Sequence, residues 1–289
     1  MAKFVPDVKT QRWIIIAPIR QDRPASLASL RSGPSQGGPD EHLGWEKKNV
    51  CPFCSGNEKE TPPEIMRFGG GEKDSSGWQI RVVPNKFPIT DIHEVIIHSP
   101  DHNKDIEDLD LPHLVDLLNV YHQRFLEHQN DGHVMIFCNH GEHAGASLHH
   151  PHSQLVVIPR QINLDALVKE PVKNIIEDNN FFVTYCPDFS QWPYEVWIAP
   201  KKVGTTFADV TDEEMKDLAV ILQKTVRRLR VKYEGKLFAY NYYIHHAKDW
   251  FIRIIPRFVH RAGFELGTGL SVNIIDPTVA AEELKKITA

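Results

Sequence analysis

Two stretches of the chain carry the same order of apolar segments. In each, a short apolar run is followed by apolar residues at helical spacing and then by a strand-like run that closes on Pro-Arg. The first copy has these segments at 93–97, 114–125 and 154–160, and the second has them at 194–198, 215–226 and 250–257. The repeat predicts two α+β half-units, residues 1–160 and 161–289, each with a long helix packed on a sheet.

The helical patterns predict which faces are buried. They comprise Leu114, Leu117, Leu118, Tyr121 and Phe125 in the first copy, and Met215, Leu218, Leu222 and Val226 in the second. Thr211 and Glu214 form a capping box, so the second helix is predicted to begin there. Further strands are predicted at 13–16 and 78–83, a glycine-rich loop at 263–269 and a closing helix at 277–287.

Composition limits the class of protein. The chain has 289 residues, of which 41% are hydrophobic and 25% charged, as in folded soluble proteins. Its formal net charge of -5 argues against a general nucleic-acid binder, and the one basic run, at 224–232, is interpreted as a solvated helix face. No apolar run approaches the roughly 20 residues of a membrane span, and the start lacks the apolar core of a signal peptide. We therefore expect a cytoplasmic protein with no membrane partner.

The cysteines suggest a metal site. Four cysteines in a chain of this length are too few for a disulfide scaffold, and two of them form Cys51-Pro52-Phe53-Cys54. A Cys-x-x-Cys turn is the usual half of a tetrahedral zinc site, which would need two further ligands. Two unrelated buried thiols or a redox pair are the alternatives.

The histidines are concentrated in one stretch, residues 139–154. Glycines and small residues that let backbone amides approach an anion directly precede His150, His152 and Gln154. In an extended segment, side chains at i, i+2 and i+4 share one face, so these three would point into one site. This pattern suggests phosphate chemistry at a histidine. Arg20 and Arg23, in a loop after the first strand, carry guanidinium groups that can clamp phosphate.

These motifs resemble the galactose-1-phosphate uridylyltransferases and their relatives, including ADP-glucose phosphorylases, in the histidine triad superfamily. The matching stretches are Cys51-Pro52-Phe53-Cys54, Ser99-Pro100-Asp101-His102, the segment from Asn139-x-Gly141 to His150-Pro151-His152-Ser153-Gln154, and Gly263-Phe264-Glu265. They span nearly the whole chain in order. The resemblance implies two fused histidine-triad repeats in a largely antiparallel α+β fold, and a homodimer.

The resemblance also implies roles for particular residues. The second histidine of His-x-His, here His152, is the family's nucleophile. One structural zinc would be held by Cys51, Cys54, His102 and His150, with His98 as the nearest competitor for the third position. Gln154 would donate a hydrogen bond to a non-bridging phosphate oxygen, and Ser147 with nearby backbone amides would stabilise the developing charge. The substrate-binding positions would be Arg20, Arg23, Asn85, Asn139 and Gly145.

Two positions depart from the family pattern. Members with a second metal carry histidines just before the proline that closes the second repeat, where this chain has Phe251 and Arg253. Neither is an ordinary ligand, so we predict no second metal site. Some uridylyltransferases have a cysteine where this chain has Ala146, between Gly145 and Ser147. The catalytic histidine pattern is complete only in the first repeat, which predicts one active centre.

The function predicted from these residues is nucleotidyl transfer in two steps. His152 would attack the α-phosphorus of a nucleotide sugar and release a sugar 1-phosphate, and a second hexose 1-phosphate would then take the nucleotidyl group, UMP in the leading interpretation. The alternatives are an ADP-glucose phosphorylase that uses inorganic phosphate, a histidine-triad hydrolase, and a nucleotide-binding module without catalysis.

Overall fold

The computed structural model describes residues 2–7, 12–22, 51–162, 164, 172–233 and 238–289. The chain forms two compact units that interleave along the sequence. The first unit comprises Met1–Lys104, Asn130–Val134 and Ser147–Leu164, and the second comprises Asp105–Gln129, Met135–Ala146 and Asp165–Ala289. The repeat boundary between residues 160 and 161 stays a prediction.

Strands and helices are numbered here in chain order within the described residues. The strands are β1 Lys3–Asp7, β2 Arg12–Ile16, β3 Met66–Gly69, β4 Trp78–Pro84, β5 His93–Ile97, β6 His133–His140, β7 His152–Ile158, β8 Ile175–Asp178, β9 Phe182–Tyr185, β10 Val196–Pro200, β11 Tyr240–Ile244 and β12 Ile252–Pro256. The helices are α1 Leu111–His128, α2 Asp212–Lys232, α3 Gly263–Thr268 and α4 Pro277–Lys285. No helix in the described part of the chain is long and apolar enough to cross a bilayer.

The first unit is built on antiparallel strands in the order β3-β4-β5-β7, and β1 pairs with β2 separately. Every residue of β5 and β7 is buried, including the polar residues that begin each strand: His93 and Glu94 in β5, and His152, Ser153 and Gln154 in β7. In the β5–β7 register, Ile97 lies opposite His152 and Val95 opposite Gln154. A core cluster that includes Phe53, Val95 and Ile97 packs beside this pair of strands. The candidate histidine stretch therefore ends in a buried strand.

The second unit contains antiparallel strands in the order β6-β11-β12-β10-β9-β8, together with the four α-helices found among the described residues. Helices α1 and α2 pack against each other, and every apolar residue predicted for their inner faces is buried. Asp110 caps the first turn of α1, where its side chain accepts from the His113 amide. The predicted capping box of Thr211 and Glu214 opens α2. The prediction of an α+β fold with largely antiparallel strands and packed helices is confirmed.

One local prediction was wrong. Residues 263–268 form the short helix α3 rather than a loop. The carboxylate of Glu265 accepts a hydrogen bond from the amide of Ala262, which closes the first turn. Gly269 ends the helix with a φ of 74°, a left-handed conformation that glycine adopts without steric cost. Gly269 therefore marks the helix end, whereas Gly263 and Gly267 lie within the helix. The other predicted strands and the closing helix are present, within one or two residues of the predicted limits.

Candidate active site and metal centre

Four side chains of the first unit converge as a Cys₂His₂ cluster. Cys51, Cys54, His102 and His150 offer ligand atoms that all lie within 4.8 Å of one another. The Sγ atom of Cys54 is 3.3 Å from His102 Nδ1 and 3.6 Å from His150 Nδ1, and Cys51 Sγ is 3.7 Å from His150 Nδ1. The amide of Cys54 donates to the Cys51 carbonyl, so a tight turn brings the two sulfurs together.

The tautomer of His150 suits a metal ligand. Its Nε2 is 2.9 Å from the carbonyl oxygen of Ser99, which can only accept, so the hydrogen resides on Nε2 and the Nδ1 lone pair faces the sulfurs. Burial lowers the pKa of His150 to about 4, which keeps the ring neutral near pH 7. Burial also favours the neutral form of the Cys51 thiol, and it raises the pKa of that group to about 12. Such a buried thiol ionises readily only beside a strong positive charge.

The donor set fits zinc. For tetrahedral zinc with Zn–S near 2.3 Å and Zn–N near 2.05 Å, a sulfur and a nitrogen ligand would be about 3.6 Å apart. The three sulfur–nitrogen distances of the cluster fall between 3.3 and 3.7 Å. His98, the competitor for the third ligand position, instead lies 2.8 Å from the hydroxyl of Ser153 through its Nε2. The four side chains predicted from the sequence are thus close enough to bind one zinc ion jointly.

His152 is the first residue of β7 and is 7% exposed. Its Nδ1 lies 2.8 Å from the carbonyl oxygen of His150, which requires the hydrogen to be on Nδ1 and gives Nε2 the lone pair. The ring of Phe53, between the two cysteines of the turn, meets the His152 ring edge-on with centroids 5.2 Å apart. The Cys51–Cys54 turn and His150 therefore both contribute to the metal cluster and both contact the candidate nucleophile.

Gln154 lies two residues further along the strand and is joined to Asn85 and, through it, to Arg20. The Asn85 amide nitrogen is 3.3 Å from Gln154 Oε1, and Asn85 Oδ1 accepts from the Phe87 amide. Arg20 donates to the Phe87 carbonyl at 2.8 Å. The structure thus brings the predicted residues Gln154, Asn85 and Arg20 into one network. It also adds His93, to which the sequence analysis assigned no role and whose Nε2 is 2.9 Å from Gln154 Oε1.

The remaining predicted residues are distributed as follows. Ser147 is half-buried in the first unit, in the segment that leads into β7. In the second unit, Asn139 on β6 accepts through Oδ1 from the amide of Asn241, which also donates to the Ala144 carbonyl. Gly145 ends a 3₁₀ turn in that unit with a φ of 79°. Arg23 lies outside the described residues.

The second unit holds no metal-ligand pair at the positions discussed for a second metal. Phe251 stacks on Trp197 with ring centroids 3.8 Å apart. Arg253 donates to both carboxylate oxygens of Glu195 at 2.7 and 2.8 Å, and both side chains are buried. The Arg253 guanidinium, a cation, therefore occupies the position next to the Glu195 carboxylate. The absence of a second metal stays a prediction.

Comparisons with known proteins place these features in context. Residues 41–160 match a family model described as the N-terminal domain of a domain of unknown function, DUF4931. An ADP-glucose phosphorylase from Arabidopsis thaliana is 26% identical over 98% of this chain and 92% of its own length. A galactose-1-phosphate uridylyltransferase from Thermotoga maritima is 25% identical over 74% of this chain and 71% of its own. The crystal structure of an Arabidopsis thaliana ADP-glucose phosphorylase with bound ADP-glucose superposes with a TM-score of 0.73 at 24% identity, covering 100% of both chains.

These similarities confirm the relationship predicted from the motifs. The chain is similar in sequence to an ADP-glucose phosphorylase and to galactose-1-phosphate uridylyltransferases, and it shares its fold with an ADP-glucose phosphorylase.

Proposed function

We propose that this relative of the uridylyltransferases and ADP-glucose phosphorylases transfers a nucleoside monophosphate from a nucleotide sugar to a phosphate acceptor, through a covalent nucleotidyl-histidine at His152. The observation that carries the proposal is the hydrogen bond from His152 Nδ1 to the His150 carbonyl. It fixes the neutral tautomer in which Nε2 holds the lone pair. An imidazole in this form attacks phosphorus without first losing a proton.

The reaction balances in two displacements. In the first, the Nε2 lone pair forms a bond to the α-phosphorus, and the bond from that phosphorus to the bridging oxygen breaks, which releases a sugar 1-phosphate. The imidazole then carries the nucleotidyl group and a positive charge, which the His150 carbonyl stabilises through Nδ1–H. In the second displacement, an oxygen of the acceptor phosphate attacks the same phosphorus, and the nitrogen–phosphorus bond breaks to restore neutral His152.

The neighbouring residues have supporting roles in this proposal. The Gln154 amide would donate to a non-bridging oxygen of the α-phosphoryl group, where charge grows in the transition state. Arg20 would offer its guanidinium to a phosphate, and the network through Phe87 supports this because it ties Arg20 to the turn that carries Asn85. Ser147 and the backbone near Gly145 would stabilise the developing charge. Asn139 and Asn85, together with Arg23, would contact the nucleotide.

Zinc is proposed to be structural in this site. Held by Cys51, Cys54, His102 and His150, it would have four protein ligands and no open position for a substrate. His150 links the two functions, because its ring belongs to the cluster and its carbonyl orients His152. The side chains of the cluster thus hold the segment that sets the nucleophile's tautomer and direction.

Two pairs of donor and acceptor are proposed for the same chemistry. The sequence-based prediction is transfer of UMP from a UDP-sugar to a hexose 1-phosphate. The alternative, transfer of AMP from ADP-glucose to inorganic phosphate, is supported by the match to an ADP-glucose phosphorylase over 98% of this chain, against 74% for the bacterial uridylyltransferase. The two pairs differ in nucleobase and acceptor and share the covalent intermediate.

A substrate panel tests the proposal and separates the pairs. Purified protein is incubated with UDP-glucose or ADP-glucose, and with water, phosphate, glucose 1-phosphate or galactose 1-phosphate as acceptor. Release of a nucleotide product that depends on one acceptor identifies the pair, and product formation in water alone identifies a hydrolase. A His152→Gln variant serves as the control and is expected to lose every transfer. Tight nucleotide binding without turnover in any combination would contradict the proposal and favour a non-catalytic binding module.

A further inference from the structure

His93 is a buried histidine whose tautomer is determined by its neighbours. It begins β5 and is 4% exposed. The backbone amide of Ile89 lies 2.9 Å from His93 Nδ1 and can only donate, so Nδ1 must carry the lone pair. The hydrogen of the neutral ring is therefore on Nε2. That nitrogen is 2.9 Å from Oε1 of Gln154, to which it donates.

A second donor points to the same oxygen. Asn85 Oδ1 accepts from the Phe87 amide at 2.8 Å, which fixes the orientation of the Asn85 side chain and turns its amide nitrogen toward Gln154. That nitrogen is 3.3 Å from Gln154 Oε1 and 3.1 Å from His93 Nε2. The two nitrogens, Asn85 Nδ2 and His93 Nε2, lie close together because both donate to the same acceptor, Gln154 Oε1. The carbonyl oxygen of Gln154 has two lone pairs, and both are engaged.

The orientation of the Gln154 amide matters because its two ends have opposite polarity and nearly equal size. Packing alone does not distinguish the oxygen from the nitrogen, so the choice depends on hydrogen-bond partners. With Oε1 held by His93 and Asn85, the amide nitrogen is the end that can donate to a bound phosphate. A reversed amide would place an acceptor against a phosphate oxygen and would also set its nitrogen against the two donors.

We propose that His93 is a positioning residue, which acts through Gln154 by holding the amide in the orientation that donates to the α-phosphoryl group. This inference rests on the proposed nucleotidyl transfer at His152. It goes beyond that transfer because it assigns a function to a side chain outside the histidine motif. His93 has no contact with the reacting atoms in this role, and its effect should appear in the transition state, where the phosphoryl oxygens gain charge.

A matched pair of amide substitutions tests the role. In His93→Asn, the short side chain can still accept from the Ile89 amide but does not reach Gln154. In His93→Gln, the longer amide can place a donor near the position of Nε2. With the substrate pair identified by the panel, we expect His93→Asn to lower kcat by about 10- to 100-fold, as removal of orienting partners commonly does, with KM changed by less than about threefold. His93→Gln should retain most of the activity.

A double-mutant cycle distinguishes positioning from general damage. Because His93 acts through Gln154, His93→Asn should have almost no further effect on kcat in a Gln154→Ala background. Equal slowing in both backgrounds, or wild-type kcat in His93→Asn, would overturn the proposal. Nitrogen-15 NMR of the imidazole adds a readout independent of activity, with the Nε2–H tautomer expected and Nδ1–H contradicting the geometry. If the wild type itself transfers no nucleotide, the proposed function fails and this role fails with it, whereas an active wild type with an unaffected His93→Asn removes only the role of His93.

Discussion

Replacing Cys51 with Ser removes one of the four side chains proposed to hold zinc. The wild type is expected to contain one zinc per chain, and the variant to contain almost none, because serine is a poor ligand for this metal at neutral pH. The structural consequence should be large, since the cluster joins three separate segments of the chain. Cys54 and His102 alone are 48 residues apart, and Cys51 and His150 are 99 apart.

The size of the effect can be estimated from the loop that the metal closes. The chain-entropy relation used for cross-links gives about 4 kcal/mol at 25 °C for a loop of about 48 residues. With an unfolding entropy of about 2.1 cal/mol/K per residue, that free energy corresponds to a fall in Tm of about 7 °C for a chain of this length. Removal of zinc would also leave thiol and imidazole groups buried without the metal, so about 4 kcal/mol is a lower bound for the loss of stability.

The assay compares metal content and melting with and without a chelator. Zinc is measured by atomic spectroscopy, and Tm by calorimetry before and after treatment. The wild type should lose about 7 °C or more on chelation, and Cys51→Ser should start low and show no chelator response. Cys138→Ser is the matched control, because Cys138 is a buried cysteine on β6 outside the cluster, and it should keep its zinc and its chelator response. A zinc-free wild type, or a Cys51→Ser protein that retains a full equivalent, would show that these four side chains do not hold a zinc ion.

Two further predictions concern stability. Glu64 is buried, which opposes its charge, but hydrogen bonds from Arg67 and Arg81 lower its pKa from the usual 4.5 to about 2. Because the pKa is lower in the folded state, the ionised carboxylate stabilises the protein above pH 4.5, and this stabilisation is lost as the pH falls toward 2. Glu64→Gln should therefore lower the free energy of unfolding by on the order of 3 kcal/mol at pH 7 and by little at pH 2, as measured by urea unfolding. A cost independent of pH would contradict this assignment. Thr211→Ala removes the cap of α2 and should destabilise the protein by about 1 kcal/mol, whereas Thr211→Ser should be close to wild type; equal melting of all three proteins would show that the cap contributes nothing.

Local patterns predicted much of the fold. The inner faces of α1 and α2 follow directly from the spacing of apolar residues, because a helix repeats every 3.6 residues whatever it packs against. The Thr211 capping box is also a local signal, since its hydrogen bonds join residues three apart. The helix α3 was missed because two of its six residues are glycines, and a short helix depends on a cap and a termination signal more than on propensity.

The site was only partly predictable. The Cys-x-x-Cys turn indicates metal by itself, but the choice of His102 over His98 came from the family resemblance rather than from the residues. The role of His93 depends on the register between β5 and β7, in which Val95 lies opposite Gln154. That register is set by long-range pairing, and a single sequence contains no direct signal for it. The tautomers of His93 and His152 likewise follow from backbone groups that only the folded chain brings near.

The covalent intermediate is the central claim, and trapping it is the most direct test. Wild-type protein is mixed with ADP-glucose or UDP-glucose labelled at the α-phosphate, without acceptor, and is quenched in alkali. Mass spectrometry should show one nucleoside monophosphate per chain on His152, stable in alkali and released by acid, with an equal amount of sugar 1-phosphate in solution. The His152→Gln variant should take up no label. Release of sugar 1-phosphate with no label on the protein, or label on the variant, would contradict the account.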